Sequence, residues 1–497
     1  MLGTYITFPE LLIWLPLLAG ILCFFTGSEK AARGLAIAGS LLVLAVSIAT
    51  LFYTNNEKYQ LYNNVNYYWL KYIGNSFSIG LDGTGRLLTF LTALSFPMIL
   101  IGSASNTVKQ APAFFGLMLM AQSGLMGVFL AKDALVFYFF WELALIPVYF
   151  LCSKWGGERR IPVTFKFFVY TFTGSLLMLI GILYVYQHTG ARVFEDGTTS
   201  AHSFALNHFY HASLTATEQN WLFWLFFIAF AIKMPIFPFH TWQPDTYDQS
   251  PTQVTMVLSG IMVKMGLFGV FRWLIPVFPE ASVKFDNIIM ILCIVGILYA
   301  SCLAIVQDNL KKLVAYSSMA HIGLMCAAIF ARNDVSVQGS VIQMFNHGVN
   351  IIGLWLAVEI IERQTGIKQI SQLGGIATKA PVMTIMLVVI ALANIALGPL
   401  MNTFPGEFLM FSGLYRFNLW YTVFAGLGII LAAIYTLNMI QKIFFGETNP
   451  ATEQMRDATW NEKLVLTLIV LIIFFTGVYP QPLIDLTKEA VSVFVSR

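Results

Sequence analysis

Along this chain, long apolar runs alternate with short polar breaks, and the runs have the length of a membrane crossing. A helix needs about 20 residues, at 1.5 Å each, to cross roughly 30 Å of hydrocarbon. A window of about 19 residues predicts fourteen such segments, near 5–25, 35–53, 83–104, 111–131, 134–153, 161–187, 221–240, 251–277, 286–306, 310–331, 336–361, 380–414, 418–445 and 461–480. Two connections are long, near 54–82 and 188–220, and the residues from Gln481 read as a short amphipathic tail. The pattern predicts an all-α polytopic membrane protein, with 1–497 as a single membrane domain. The first segment has no basic run before it and no small-residue cleavage site after it, so it reads as a span and not a signal peptide.

Two segments are interrupted. The seventh contains Lys233-Met234-Pro235-Ile236-Phe237-Pro238, and the twelfth contains Gly398-Pro399 followed by Pro405-Gly406-Glu407. Proline has no N–H, so the carbonyl four residues earlier loses its helical partner. Ala231, Met234, Ile395 and Met401 would carry those carbonyls. In lipid they need a partner from protein or water. Interruptions five segments apart, each beside a charge, are the trace that two inverted five-helix repeats would leave; ordinary proline kinks are the plainer alternative. The expected units are 111–278 (segments 4–8) and 284–446 (segments 9–13). Three helices in 1–110 would precede them, and a C-terminal helix and tail in 447–497 would follow.

Composition narrows the class further. The chain is 58% hydrophobic and 11% charged, against about 25% charged for soluble domains. A dispersed net charge of +3 gives no surface for nucleic acid. If the N-terminus lies outside, Lys30, Arg33, Lys109, Lys154, Arg159, Arg160, Lys311, Lys312, Arg363, Lys368, Lys379, Lys442, Arg456 and Lys463 all fall inside. That bias is the usual topology signal, and it puts both termini outside. Cys23, Cys152, Cys293, Cys302 and Cys326 lie in or beside apolar runs and form no CxxC pair. They read as buried packing residues, not as ligands of a zinc or iron–sulfur site.

Candidate chemistry comes from charges inside the runs, where each costs roughly 2.5–3.5 kcal/mol. Glu142 lies eight residues into the fifth segment, about 12 Å deep. Lys233 lies within the interrupted seventh segment, Lys264 thirteen residues after Pro251 in the eighth, and Glu407 at the interruption of the twelfth. Unpaired, the four would cost on the order of 10 kcal/mol, which points to function. Glu142 and Lys233 are expected to pair across helices, each shifting the other's proton affinity. His321 and His347 lie on adjacent segments between those of Lys264 and Glu407. Imidazole titrates near neutral pH, so they are candidate relays, with Ser317, Ser318 and Asn346 holding bridging waters. The blander readings are a static salt bridge for Glu142, snorkelling for Lys233 and Lys264, and packing for the histidines.

Other polar residues are weighed more lightly. His202, His208 and His211 read as a solvated loop, not a metal site. His240, Asp245 and Asp248 form either an inner inlet or helix caps, and Lys166 either neutralises Glu142 or snorkels to the inner surface. Glu10, Asp82, Asp133, Asp308 and Glu359 fall near segment ends, where hydration makes a charge cheap.

These residues resemble those of the antiporter-like membrane subunits of respiratory complex I, the proton-pumping NADH:quinone oxidoreductase. The resemblance rests on Trp141-Glu142-Leu143 with Ile146-Pro147-Val148-Tyr149-Phe150-Leu151, and on Lys166-Phe167-Phe168-Val169-Tyr170-Thr171. It continues through Lys233-Met234-Pro235 to His240-Thr241-Trp242, and Lys311-Lys312-Leu313-Val314-Ala315-Tyr316-Ser317-Ser318. Within the family, the L-type and N-type members and the multisubunit cation/proton antiporters usually carry lysine where this chain has Glu407. The stretch before Glu407, Leu397-Gly398-Pro399-Leu400-Met401-Asn402-Thr403-Phe404-Pro405-Gly406, departs from the family's Gly-Leu-Pro-Gly-like pattern, so its interruption is expected to be shifted or longer.

The resemblance implies a proton-translocating subunit of a bacterial inner (plasma) membrane complex, with both termini on the periplasmic side. It implies neighbours of the L and N types in the bilayer. NADH, flavin, iron–sulfur clusters and quinone would be held by other subunits, with no cofactor here. The implied proton path runs from Glu142 through Lys233, Lys264, His321 and His347 to Glu407. A subunit of a multisubunit sodium/proton antiporter or of a membrane-bound hydrogenase is the alternative.

Overall fold

The structure, a computed structural model, describes residues 6–52, 63–194 and 197–496. Each predicted apolar segment falls on a helix or a pair of half-helices. These are α1 (Phe8–Phe24), α2 (Glu29–Phe52), α3 (Gly83–Gly102), α4 (Ala111–Leu130), α5 (Ala134–Trp155) and α6 (Arg160–Gln187). Next come α7 (Ala216–Lys233), α8 (Gln243–Gln249), α9 (Thr252–Val277), α10 (Pro279–Val306), α11 (Leu310–Phe330) and α12 (Asp334–Thr365). The series ends with α13 (Pro381–Asn394), α14 (Thr403–Phe417), α15 (Leu419–Phe444), α16 (Trp460–Val478) and α17 (Gln481–Val495).

Among the described residues, eleven helices are long and apolar enough to cross a membrane. The predicted fourteen crossings therefore include three segments short of that standard: α1 and the two interrupted segments.

The two long connections are not helical throughout. Asn64–Leu70 pairs antiparallel with Asn75–Gly80, and Arg192–Val193 pairs with Thr199–Ser200. The part of the first connection at 54–62 lies outside the described residues, as does the start of the first predicted segment at 5. Both hairpins lie on one face: Ile79 bridges to Ala131, and Asp133 to Ala205. The amphipathic tail is α17, laid on this hairpin face with Thr487 accepting from Gln338 of α12 at 2.7 Å.

The opposite face carries basic residues such as Lys311, Lys312 and Lys368 and is tied by local charge pairs. Lys311 meets Glu362 at 2.6 Å, Lys312 meets Asp245 at 3.0 Å, and Lys368 meets Asp248 at 3.5 Å. These bonds fasten α8 to the start of α11 and to the connection after α12.

The centre of the bundle is α9 and α12, whose apolar stretches are wholly buried, flanked by α3, α4 and α11. α2, α6, α10, α15 and α16 surround them and turn side chains such as Leu42, Ile180, Ile291, Ile430 and Leu471 outward. Apolar residues all round a helix are what burial on every side selects, and an outward apolar face suits lipid. Four of the cysteines are buried as expected; Cys302 is exposed on α10.

Candidate functional site

Both segments are interrupted, and two of the four expected carbonyls, those of Ala231 and Met401, are capped from within the protein. After α7 ends at Lys233, the Ile236 N–H bonds to Ala231 O at 2.9 Å, and the Trp242 indole N–H to Ile232 O at 2.9 Å. After α13, the Thr403 hydroxyl donates to Ala393 O, and the Phe404 N–H to Met401 O at 3.0 Å. Ala396 (φ 52°) and Gly398 (φ 95°) turn the chain between the halves.

Three asparagines hold this second interruption. Asn350 and Asn402 exchange amide bonds at 2.9 and 3.0 Å, and the Asn346 amide donates to Asn402 O at 2.6 Å. All three are fully buried. The interruption lies at 395–402, so Pro405-Gly406-Glu407 belongs to the first turns of α14. Glu407 is thus not at the break itself, as the proline positions predicted, but just beyond it. The shift follows from Asn402, which α12 grips before α14 can start.

Lys264 owes its position to two features of α9. Leu258–Met262 is wound as a π-turn, in which the Val263 N–H reaches back to Leu258 O. Such turns interrupt the α-helical ladder and occur often at functional sites. The Lys264 ammonium donates to Ser259 O at 2.9 Å, five residues back. The second feature is close approach to α12. A Cβ on Gly348 would stand 2.7 Å from the Leu91 side chain and 3.0 Å from Gly260 O, so only glycine lets these backbones come this near. Across that contact, Lys264 Nζ lies 2.8 Å from His347 Nδ1. Both side chains are 0% exposed.

From His347 the line continues. Its ring centroid is 5.6 Å from that of His321. His321 Nδ1 lies 3.4 Å from Glu407 Oε1, and His321 Nε2 lies 3.3 Å from the Asn394 amide. Asn394 also donates to Ser317 at 3.2 Å, as does the Tyr435 hydroxyl at 3.0 Å. A cavity of about 30 Å³ touches His321, Glu407 and Tyr435, enough for a water. Four of the six predicted residues, Lys264, His347, His321 and Glu407, therefore form one buried polar line from α9 through α12 and α11 to α14.

The other two are arranged differently. Lys233 is buried, and its ammonium lies 5.3 Å from the centre of the Trp141 ring. Among the described residues it has no hydrogen-bond partner, and neither does Glu142 Oε1. The expected direct Glu142–Lys233 ion pair is absent there: the ammonium rests on the aromatic face of the residue preceding Glu142, a cation–π contact. Glu142 itself is half-buried on α5.

Several lesser readings are resolved or corrected. Lys166 turns to the basic face, donating to Thr241 O at 2.6 Å and meeting Asp245 at 3.8 Å, not to Glu142. Asp245 and Asp248 are engaged in ion pairs there, and His240 is packed against Phe237 and Tyr299. His202 is tethered to Thr189 O at 2.9 Å, and His211 to Asn207 O at 2.8 Å. Asp133 and Glu359, read as hydrated, are buried at 0% and 4% exposure. Asp133 accepts from the Asn75 amide at 2.8 Å and from Leu135 N–H at 3.0 Å; Glu359 accepts from Ser103 at 2.8 Å and from Asn106. Sequence reasoning also passed over Asn350, Asn394 and Asn402. The i, i+4 spacing of Asn346 and Asn350 beside His347 was the available signal.

Comparison with known proteins gives the chain a family. The family described as NADH:quinone oxidoreductase/Mrp antiporter, TM, matches residues 131–434. NADH-quinone oxidoreductase subunit M of Rickettsia prowazekii (strain Madrid E) is 34% identical over 483 residues, covering 95% of each chain. Its namesake from Escherichia coli (strain K12) is 32% identical, covering 97% of this chain and 96% of its own. Among solved structures, respiratory complex I from Thermus thermophilus with bound NADH contains a chain that matches with TM-score 0.87 and 28% identity, covering 97% of this chain and 99% of that one. On this evidence the chain belongs to the NADH:quinone oxidoreductase/Mrp antiporter family of membrane subunits.

Proposed function

We propose that this chain is a proton-translocating membrane subunit of an NADH:quinone oxidoreductase of the complex I type. The observation that carries the reading is the buried line Lys264–His347–His321–Glu407. A lysine and an imidazole 2.8 Å apart in a dry interior hold one proton charge between them, because two adjacent cations repel strongly at low dielectric. The unpartnered His347 Nε2 is free to hand a proton through a bridging water to His321. Glu407, whose Oε1 lies 3.4 Å from His321 Nδ1, then receives it.

Glu142 and Lys233 form the input end of this path. Their separation leaves room for a water or a modest side-chain movement to make and break their pairing. Quinone reduction in other subunits would act by changing that pairing electrostatically. Those subunits would hold the NADH, flavin, iron–sulfur and quinone sites, and neighbours of the L and N types would flank this chain. The basic face is the inner side of a bacterial plasma membrane, and the hairpin face, with both termini, is the periplasmic side. The two interrupted segments mark inverted repeats over 111–278 and 284–446, with 1–110 and 447–497 as flanking helices.

Glu142→Gln in the native gene tests this reading. Inverted vesicles are assayed for NADH oxidation and NADH-driven acidification, with assembly checked on a native gel. The proposal expects an assembled complex in which both activities fall severalfold or more. Untouched NADH-dependent activities with loss of sodium/proton exchange would instead make the chain an antiporter subunit.

A further inference from the structure

On the hairpin face, remote from the relay, the first turn of α3 borders a cavity of about 930 Å³. Arg86, Lys132, Arg192, Arg272 and the carboxylate of Asp82 line it. Arg272 is ion-paired with Asp82 and lies 4.7 Å from the Phe268 ring. Lys132 donates to Asn64 at 2.6 Å, and Arg192 to Gly74 O at 3.2 Å.

Arg86 stands apart from these. It is 7% exposed, and among the described residues its side chain makes no hydrogen bond or ion pair; its Nε is buried without a partner. Asp82 is the one carboxylate acting on Arg86, Lys132 and Arg272 together. Burial pushes the Lys132 ammonium below its usual range; Asp82 opposes that shift and the Arg272 charge adds to it. Asp485 and Glu489 of α17 are exposed on the rim and form no ion pair with these cations.

One carboxylate shared among three largely buried cations leaves positive charge in excess, which burial disfavours, so the surplus marks the place of an anion. Guanidinium groups match phosphate oxygens with parallel N–H bonds. Beside these polar groups the lining carries apolar side chains, Leu51, Phe271, Val493 and Phe494, which suit hydrocarbon next to a headgroup. We propose that this cavity binds the phosphate of an anionic phospholipid, with Arg86 as its principal ligand and Lys132 as the second. The site is separate from the proposed proton path, and its test does not depend on transport.

The test uses the purified intact complex, delipidated in detergent. Binding of radiolabelled dioctanoyl phosphatidylglycerol and of inorganic phosphate is measured, and native mass spectra count the retained lipids. The expected result is one phospholipid per complex that Arg86→Gln releases, with affinity for phosphatidylglycerol at least tenfold weaker and Arg86→Lys within a fewfold of the parent. If inorganic phosphate binds as tightly as the lipid, the lipid source is overturned and the ligand is a free anion. If Arg86→Gln leaves both probes unchanged, or neither binds, the site is overturned. Should Arg86→Gln fail to assemble, Lys132→Gln carries the same expectations.

Discussion

At the scale of residues, the buried amine of Lys264 touches the buried imidazole of His347, and low dielectric disfavours a second positive charge on such a pair. Lys264 and His347 are both shut off from bulk solvent, and among the described residues the ammonium's other hydrogen-bond partner is Ser259 O. The asparagines are the second residue-scale feature. Asn402 takes part in four hydrogen bonds with Asn346 and Asn350 in the buried interior. Removing it leaves buried amides unsatisfied, and Asn402→Leu should therefore cost about 2–4 kcal/mol. Heated samples run on native gels should show the complex dissociating several degrees earlier.

The charged members of the line were legible in the sequence, because an ionisable side chain in an apolar run is conspicuous. The asparagines were not, because a neutral amide hardly disturbs hydropathy and its value lies in a partner 52 positions away.

Helix ends and short connectors decide where those residues stand. The seventh segment breaks where its prolines predict, and Lys233 is the last residue of α7. The twelfth breaks before its second proline, because Asn402 is fixed to α12, and Glu407 is carried into α14. Proline positions mark where a helix can stop; which of two prolines is used depends on a neighbouring helix that the sequence does not display. The absent Glu142–Lys233 contact has the same origin, since Trp141 offers its ring to an ammonium that was expected to meet a carboxylate.

α8 adds a pH dependence at this scale. Burial works to raise the Asp248 carboxyl, but its bond from Asn309 and the charge of Lys368, with Gln249 and Lys311, hold it below the ordinary 3.8. A depressed carboxyl contributes stability above its unfolded value, and the contribution is lost as pH falls through the folded one. The tie between α8 and α11 should therefore be intact at pH 5 and weaken below about pH 4. The protection factor of the α8 backbone, that is, its exchange relative to the intrinsic rate at each pH, should fall from pH 5 to 3 in the parent and change less in Asp248→Asn, which should start lower.

Over the whole molecule, α9 and α12, whose apolar stretches are wholly buried, bring the second half of the proposed path into contact, and an outward apolar shell faces the bilayer. The shell could be read from the alternation of apolar runs. The burial of Asp133 and Glu359 could not, because depth in a bundle depends on which helices cover a helix end, and position along the chain does not record that.

The central claim is that protons pass along Lys264, His347, His321 and Glu407 in series, and the contact between the first two is its most exposed point. NADH-driven acidification is measured in inverted vesicles carrying Lys264→Met, His347→Ala and the double variant, each with assembly verified. Elements of one path fail together. The account predicts that each single variant lowers acidification about tenfold or more and that the double is no worse than the poorer single. An assembled His347→Ala complex that acidifies at the parental rate, or two losses that multiply, would contradict it.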